Sequence, residues 1–214
     1  LLIDSRNEDE YLERVFSLRY FNDSKYFEKN LRKRLLGIIR KYWQEEDLQA
    51  EEWTDDEILA LAGIVKTPEY VEFCGSMTAI IRDRKVDFSP LIHGLAINAP
   101  TIRELNIKAL PGVKRVLFFE NKANYVDYVF KKRTDDEFLV YHGGFYSPVK
   151  GLFFKKLYDI ARTQNILFFH WGDMDLGGFQ IFTRLKKQII PELKPYRMDV
   201  ESFIAMKSFW QAFD

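Results

Sequence analysis

The chain has a single cysteine, no long apolar run and no net charge. Cys74 stands alone among 214 residues, which excludes an intrachain disulfide framework and a zinc site built from cysteines. No apolar run approaches the roughly 18 residues that a membrane-spanning helix requires. The start Leu1-Leu2-Ile3 leads at once into charged residues, which is unlike a secretory signal. We therefore expect a cytoplasmic protein without a membrane partner, and the start without Met indicates a fragment of a longer chain.

The zero net charge conceals a division along the sequence. Residues 1–100 carry a net charge of −5 and residues 101–214 carry +5. Such a division is either chance clustering on solvated surfaces or an indication of the partners that each part meets. Aromatic residues make up 16% of the chain, enough to build a real core and to exclude extensive disorder.

The first hundred residues predict a helical and mixed unit. The stretch 8–48 reads as helices, because apolar residues from Phe27 to Tyr42 recur every three or four positions. A helix over about 55–63 should begin at Thr54, with Glu57 completing a capping box. The sequence further predicts short strands over 71–81 and 86–88 and a helical stretch over 91–98. We expect a winged-helix-like α+β unit over residues 1–100.

After Pro100 the pattern changes to alternating strands and helices. Apolar, β-rich runs alternate with amphipathic stretches, and the joints between them are short. This alternation predicts an α/β domain over 101–214, with a parallel sheet covered by helices. The predicted strands are 113–119, 138–141 and 166–170, and the predicted helices are 124–132, 152–163 and 177–190.

Acidic residues follow two of the three predicted strands. Glu120 ends the first strand, and Asp173 and Asp175 follow the third, just before a Gly-Gly pair and a helix. Because the carboxyl ends of parallel strands meet at one end of the sheet, we expect the three carboxylates to lie together. Clustered carboxylates suit Mg²⁺ (or Mn²⁺), which can polarise a phosphodiester. The alternative is an acidic loop that only caps the helix at 177.

These residues resemble those of a known family. The segments Phe118-Phe119-Glu120-Asn121, Gly143-Gly144 and Gly172-Asp173-Met174-Asp175 are similar to the Toprim domain of primases, topoisomerases and related nucleases. With Lys122 and the Gly-Phe-x-Ile that follows Asp175, the pattern resembles most closely the JetD family of Wadjet plasmid-defence systems. That resemblance spans roughly residues 15–200.

The resemblance implies a fold and a role. It implies a winged-helix-like (CAP-like) domain before a Toprim domain, related to the A subunit of type IIB topoisomerases. It also implies a homodimer that works with an SMC-like motor complex and cuts double-stranded plasmid DNA. Glu120 would then bind metal or act as the general base, Asp173 and Asp175 would bind metal, and Asn121 would shape the site. Members of the family carry a further N-terminal arm that this chain lacks.

Two rival interpretations stay open at this stage. A topoisomerase-like enzyme would cut DNA through a tyrosine, but Tyr20, Tyr26, Tyr42 and Tyr70 lack the paired-tyrosine, Arg-containing context expected of such an enzyme and read as half-buried aromatics. A non-catalytic DNA-binding or assembly subunit would keep the acidic site as structure alone.

Weaker candidates complete the prediction. His142 could assist proton transfer or be a hydrogen-bonded structural residue, His170 and His93 read as core residues, and Gly144 should allow a close backbone approach. Basic residues that could contact DNA phosphates, or could simply be solvated, are Lys122, Lys131, Lys132, Arg133, Arg32, Lys33 and Arg34.

Overall fold

The computed structural model describes residues 11–42, 54–199 and 204. The strands of the described residues are β1 (Tyr11–Leu12), β2 (Ile64–Val65), β3 (Tyr70–Cys74), β4 (Thr78–Ile81), β5 (Arg84–Asp87), β6 (Leu95–Asn98), β7 (Asn106–Ala109), β8 (Arg115–Phe119), β9 (Glu137–Tyr141), β10 (Leu167–Trp171) and β11 (Lys194–Pro195). Their α-helices are α1 (Glu13–Phe21), α2 (Arg32–Tyr42), α3 (Asp55–Leu61), α4 (Ala99–Glu104), α5 (Lys122–Lys131), α6 (Pro148–Ala161) and α7 (Leu176–Gln188). A π-helical turn over Phe27–Leu31 precedes α2, and a 3₁₀ turn over Arg162–Gln164 follows α6.

A six-stranded mixed sheet forms the centre of the fold. Its strand order is β11-β10-β8-β9-β3-β6, and the four strands from β11 to β9 are parallel. The strands β3 and β6 extend the sheet in antiparallel pairing. The predicted α/β class and the alternation of strands and helices from β8 to α7 are confirmed.

The two faces of the sheet are covered by different helices. On β8, Val116 and Phe118 belong to one buried cluster, which includes Phe153 and Leu157 of α6 and Leu185 of α7. The alternate residues of β8, Leu117 and Phe119, belong to a second cluster with Tyr125, Tyr128 and Val129 of α5. Alternate side chains of a strand point to opposite faces, so α5 lies on one face and α6 and α7 lie on the other.

The helices of the N-terminal part have their own core. Phe16, Phe27, Leu36, Ile39 and Ile58 are buried together there, and the helix α3 begins with the predicted capping box between Thr54 and Glu57. Phe145, from the loop that follows β9, packs against this core. The loop after β9 therefore joins the N-terminal helices to the central sheet. Residues 8–10 and 43–48 of the predicted helices and the acidic stretch up to residue 53 lie outside the described residues.

Two predicted elements of the first hundred residues are wrong. The stretch predicted as helical over 91–98 holds β6, because it pairs with β3 over four residues and Gly94, at φ +84°, closes the turn before it. The strand predicted over 71–81 is divided into β3 and β4 at Gly75. A Cβ at Gly75 would lie 2.7 Å from the carbonyl oxygen of Glu137, so the backbone must bend there without a side chain.

Strand pairing crosses residue 100 in both directions. The strands β3 and β6 precede that residue and pair within the six-stranded sheet, whereas β7 follows it and pairs with β4 in the three-stranded sheet β5-β4-β7. Residue 100 itself lies within α4. The predicted division into two domains stays a prediction, but it is not a division between sheets. None of the helices in the described ranges is long and apolar enough to cross a membrane.

One buried carboxylate holds the start of β9 to β8. Glu137 is fully buried, forms an ion pair with Arg115 and accepts a hydrogen bond from the Tyr128 hydroxyl at 2.9 Å. Removing the carboxylate leaves the Arg115 charge and the Tyr128 hydroxyl without it. We expect Glu137→Ala to lower the free energy of unfolding in urea by about 3–5 kcal/mol. Glu104→Ala, which removes an exposed ion pair with Arg82, should leave it near the wild-type value, and equal losses would contradict this account.

Candidate carboxylate site

The pairing of β8 with β10 aligns the loops that carry the acidic residues. Phe119 and Trp171 are register partners at the ends of these parallel strands, and the Glu120 N–H donates to the Trp171 carbonyl at 3.1 Å. The chain leaves β8 for β9 on one side and reaches β10 from the other. The gap between the carboxyl ends of β8 and β10 is therefore the topological switch point of the sheet, where open α/β sheets bind ligands.

Glu120 and Asp173 are in direct contact. The backbone N–H of Asp173 donates to Oε2 of Glu120 at 3.1 Å, so the loop after β10 orients the carboxylate that ends β8. Asp175 caps α7, since its Oδ1 accepts the Gly178 N–H at 2.8 Å. The prediction of an acidic loop that caps this helix and the prediction of grouped carboxylates thus describe the same loop, and the structure shows both arrangements.

Two glycines allow the loop to close over the carboxylate. A Cβ on Gly172 would lie 2.6 Å from Oε2 of Glu120 and 2.6 Å from the His170 ring. A Cβ on Gly178 would lie 2.1 Å from the Asp173 carbonyl oxygen. Both contacts are far shorter than real Cβ contacts, so this packing of the site requires glycine at these two positions.

The electrostatics of the site favour the protonated form of Glu120. Burial, and next the negative charges of Asp173 and Asp175, raise the pKa of Glu120 to about 7, although the Asp173 N–H acts in the opposite direction. Burial and the charge of Asp175 also raise the pKa of Asp173. A bound cation would relieve this repulsion.

The donor set suits a hard divalent cation. Mg²⁺ takes oxygen ligands and is commonly held by one or two carboxylates with several waters. In the part of the chain that the structure describes, no three His, Cys, Asp or Glu side chains converge on one point as a complete metal cage. The residues that would hold Mg²⁺ or Mn²⁺ here are therefore Glu120 and Asp173, with Asp175 adding negative charge while it caps α7.

Two histidines lie directly behind the carboxylates. His142 and His170, at the ends of β9 and β10, are fully buried, and their Nε2 atoms are 3.1 Å apart. Burial lowers the pKa of His170 to about 3 and that of His142 well below its usual range, so both rings are neutral. His170 is buried as predicted, whereas His93 is exposed and stacks near Phe130, contrary to the prediction of a core residue.

The remaining candidates near the sheet end have structural partners. Asn121 caps α5 by accepting the N–H groups of Ala123 and Asn124. Gly143 has φ +69°, and Gly144 lies against the Glu57 carboxylate, since a Cβ there would be 2.8 Å from Oε1. The close approach predicted for Gly144 is thus made to α3.

Most of the predicted phosphate-binding cations already form ion pairs. Lys122 pairs with Glu72, while Lys131 and Lys132 share Asp127. Further along, Arg133 pairs with Asp135, and Arg32 pairs with Glu13 and Asp56. Lys33 and Arg34 are exposed on α2.

The sequence gives little warning of one participant. His170 borders the same space as Glu120, but its pattern, a histidine within an apolar strand, predicts only a core residue. The available signal is its position two residues before Gly172, at the end of the strand that carries the acidic loop.

The fold and the site define an α/β protein with a carboxylate centre at its switch point. The family described as "Wadjet protein JetD, C-terminal" matches residues 76–213. The chain is also 30% identical over 196 residues to Wadjet protein JetD of Bacillus cereus (strain Q1). That alignment covers 92% of this chain and 46% of the relative, so the chain spans about half the length of the curated protein that it matches. The chain belongs to the JetD family, and the resemblance inferred from its motifs is confirmed.

The raised pKa of Glu120 predicts a pH-dependent gain from neutralising it. Between pH 4.5 and about 7 the folded chain retains a proton that the unfolded chain has released, so stability falls as the pH rises through this range. Glu120→Gln removes this penalty and keeps an oxygen that can accept the Asp173 N–H. In metal-free buffer at pH 8 we expect it to raise the free energy of unfolding by roughly 1–2 kcal/mol after solvent screening.

The gain should shrink as the pH falls towards 4.5, which urea titrations at several pH values would reveal. Asp159→Asn, at an exposed position on α6, is the matched control and should show no comparable trend. A gain for Glu120→Gln that is equal at pH 5 and pH 8 would contradict a raised pKa.

Gly178 provides a second test of the site's packing. Gly178→Ala must displace the backbone of Asp173, so we expect a loss of about 1–3 kcal/mol in the free energy of unfolding and weaker Mn²⁺ binding by calorimetry. Gly37→Ala is the control, since nothing lies within 4 Å of a Cβ there and Ala favours the helix by up to about 1 kcal/mol. Unchanged Mn²⁺ binding in Gly178→Ala would argue against a role for the Asp173 loop.

Proposed function

We propose that this chain is the metal-dependent, DNA-cleaving part of a Wadjet system, with a Toprim-type site. The observation that carries the proposal is the Glu120 carboxylate, which is held by the Asp173 N–H at the switch point in a chain of the JetD family. The printed relative is a Wadjet protein. Plasmid DNA as substrate, an SMC-like motor as partner and a homodimer as the working form belong to this proposal.

The chemistry proposed is hydrolysis of a phosphodiester. A divalent cation held by Glu120 and Asp173 would supply electrophilic stabilisation of the phosphate oxygens and of the leaving 3′ oxygen. Glu120 can accept a proton from an attacking water, because its carboxylate lies at the mouth of the site and is fixed by the Asp173 N–H. Asp175 anchors the loop to α7 and so maintains this geometry.

The tyrosine alternative has less support. Tyr20, Tyr26, Tyr42 and Tyr70 are all exposed rather than half-buried, with fractional exposures from 40% to 67%. Within the described ranges, none of them hydrogen-bonds to a carboxylate of the site. A water nucleophile therefore accounts for the arrangement of Glu120 better than a tyrosine of the N-terminal part does.

Cleavage of supercoiled plasmid in Mn²⁺ tests the proposal. We expect the wild-type chain to cut, and Glu120→Ala and Asp173→Ala to reduce the rate by about 10²- to 10⁴-fold because the proton acceptor or the cation is lost. Asp159→Ala, distant from the site on α6, should cut at the wild-type rate. The protein content of the new ends is measured in parallel.

Each other outcome has a definite meaning. Ends that carry covalently bound protein would favour the tyrosine mechanism. Equal cutting by all variants would indicate a contaminant and contradict the proposal. Wild-type chain that shifts DNA but neither cuts it nor binds Mn²⁺ would support a non-catalytic assembly subunit.

A further inference from the structure

The buried histidine pair has a direction that its hydrogen bonds define. Nδ1 of His142 lies 3.3 Å from the carbonyl oxygen of Gly144. A carbonyl oxygen can only accept, so this Nδ1 carries the proton. His142 is neutral, and its Nε2 is therefore an acceptor.

The second ring follows from the first. With Nε2 of His142 as the acceptor, the contact of 3.1 Å requires that Nε2 of His170 donates. His170 is also neutral, so its Nδ1 bears a lone pair and no proton. Burial of both rings keeps them neutral and preserves this order.

The lone pair of His170 has no partner among the described residues. Its Nδ1 is a buried atom without a hydrogen bond, in a side chain that is fully buried. The nearby backbone donors are used elsewhere: the Gly172 N–H meets the Met198 sulfur at 3.3 Å and the Asp173 N–H binds Glu120. A buried acceptor in this position calls for a donor that the chain does not supply.

The lone pair faces the candidate site. A Cβ at Gly172 would meet Glu120 Oε2 at 2.6 Å and His170 Nδ1 at 3.3 Å, so the carboxylate and the bare nitrogen border the same small space. A water molecule can donate one hydrogen to Nδ1 and the other to the carboxylate.

We propose that His142 locks His170 in the tautomer whose bare Nδ1 faces Glu120, and that this nitrogen positions a water molecule beside the Glu120 carboxylate. His170 is then a positioning residue, which acts through the water and Glu120. The part played by this water in catalysis rests on the proposed function, whereas the tautomer order does not.

Nitrogen NMR of the 214-residue chain tests the lock directly. The chain has three histidines, and exposed His93 serves as the internal reference. In long-range ¹H–¹⁵N spectra at neutral pH without metal, we expect His142 protonated at Nδ1 and His170 protonated at Nε2. His93→Asn and His142→Gln assign the signals. A charged His170, or one protonated at Nδ1, would overturn the proposal.

Mn²⁺ calorimetry tests the positioning role. Because groups that orient metal-binding carboxylates typically change affinity by 10- to 100-fold, we expect His170→Phe to bind Mn²⁺ about 10- to 100-fold more weakly. His170→Asn restores an acceptor near the Nδ1 position and should recover most of the affinity. His93→Asn should bind as the wild type does, and urea midpoints confirm that each variant is folded.

The outcomes separate this inference from the proposed function. Equal weakening in His170→Phe and His170→Asn would reduce His170 to a packing role and overturn the inference, as would wild-type affinity in both. A wild-type chain that binds no Mn²⁺ would overturn the proposed function, and the tautomers measured by NMR would still decide the lock. If His170→Phe does not fold, His142→Phe removes the acceptor of the pair, and loss of the His170 tautomer order there is the expected result.

Discussion

The in-register parallel pairing of β8 with β10 is the constraint on which the site depends. It places the Glu120 carboxylate against the backbone of Asp173, and it brings the ring of His170 to the same position from behind. The capping of α7 by Asp175 and the bare Cα of Gly178 then hold the loop in place. The site is therefore assembled by backbone geometry, and its side chains meet because the strands end together.

The charges of the site have a cost in the metal-free chain. Glu120 and Asp173 are carboxylates that burial and mutual repulsion disfavour in their ionised form, as their raised pKa values show. Such an arrangement is stable only because the surrounding sheet fixes it, and functional sites commonly trade stability in this way. The basic residues around it are mostly paired with acids at the surface. Exposed ion pairs contribute only about 0–1 kcal/mol, so these cations can exchange their carboxylate partners for phosphates at little cost.

Much of the sheet and the position of the acidic residues could be predicted from the sequence. The strands β8, β9 and β10 are apolar runs bounded by glycine, proline or acids, and such local signals are strong. The strand β6 was mistaken for a helix because its only signal is a short apolar run, and its pairing with β3 comes from distant parts of the chain. The contact between His142 and His170, across 28 positions, has no local signal at all. The Asp173 N–H that orients Glu120 was equally hidden, because backbone donors leave no trace in residue identity.

The crossing of strand pairs over residue 100 has a consequence for solubility. A fragment that begins at residue 101 would keep β8, β9 and β10 but would lose β3, which covers β9 through three register pairs. The freed border of β9 would then present unpaired N–H and C=O groups along the apolar residues Phe138 to Val140. Exposed apolar strand borders recruit other chains into intermolecular sheets. The first hundred residues thus serve the catalytic half as a shield against aggregation, whatever else they bind.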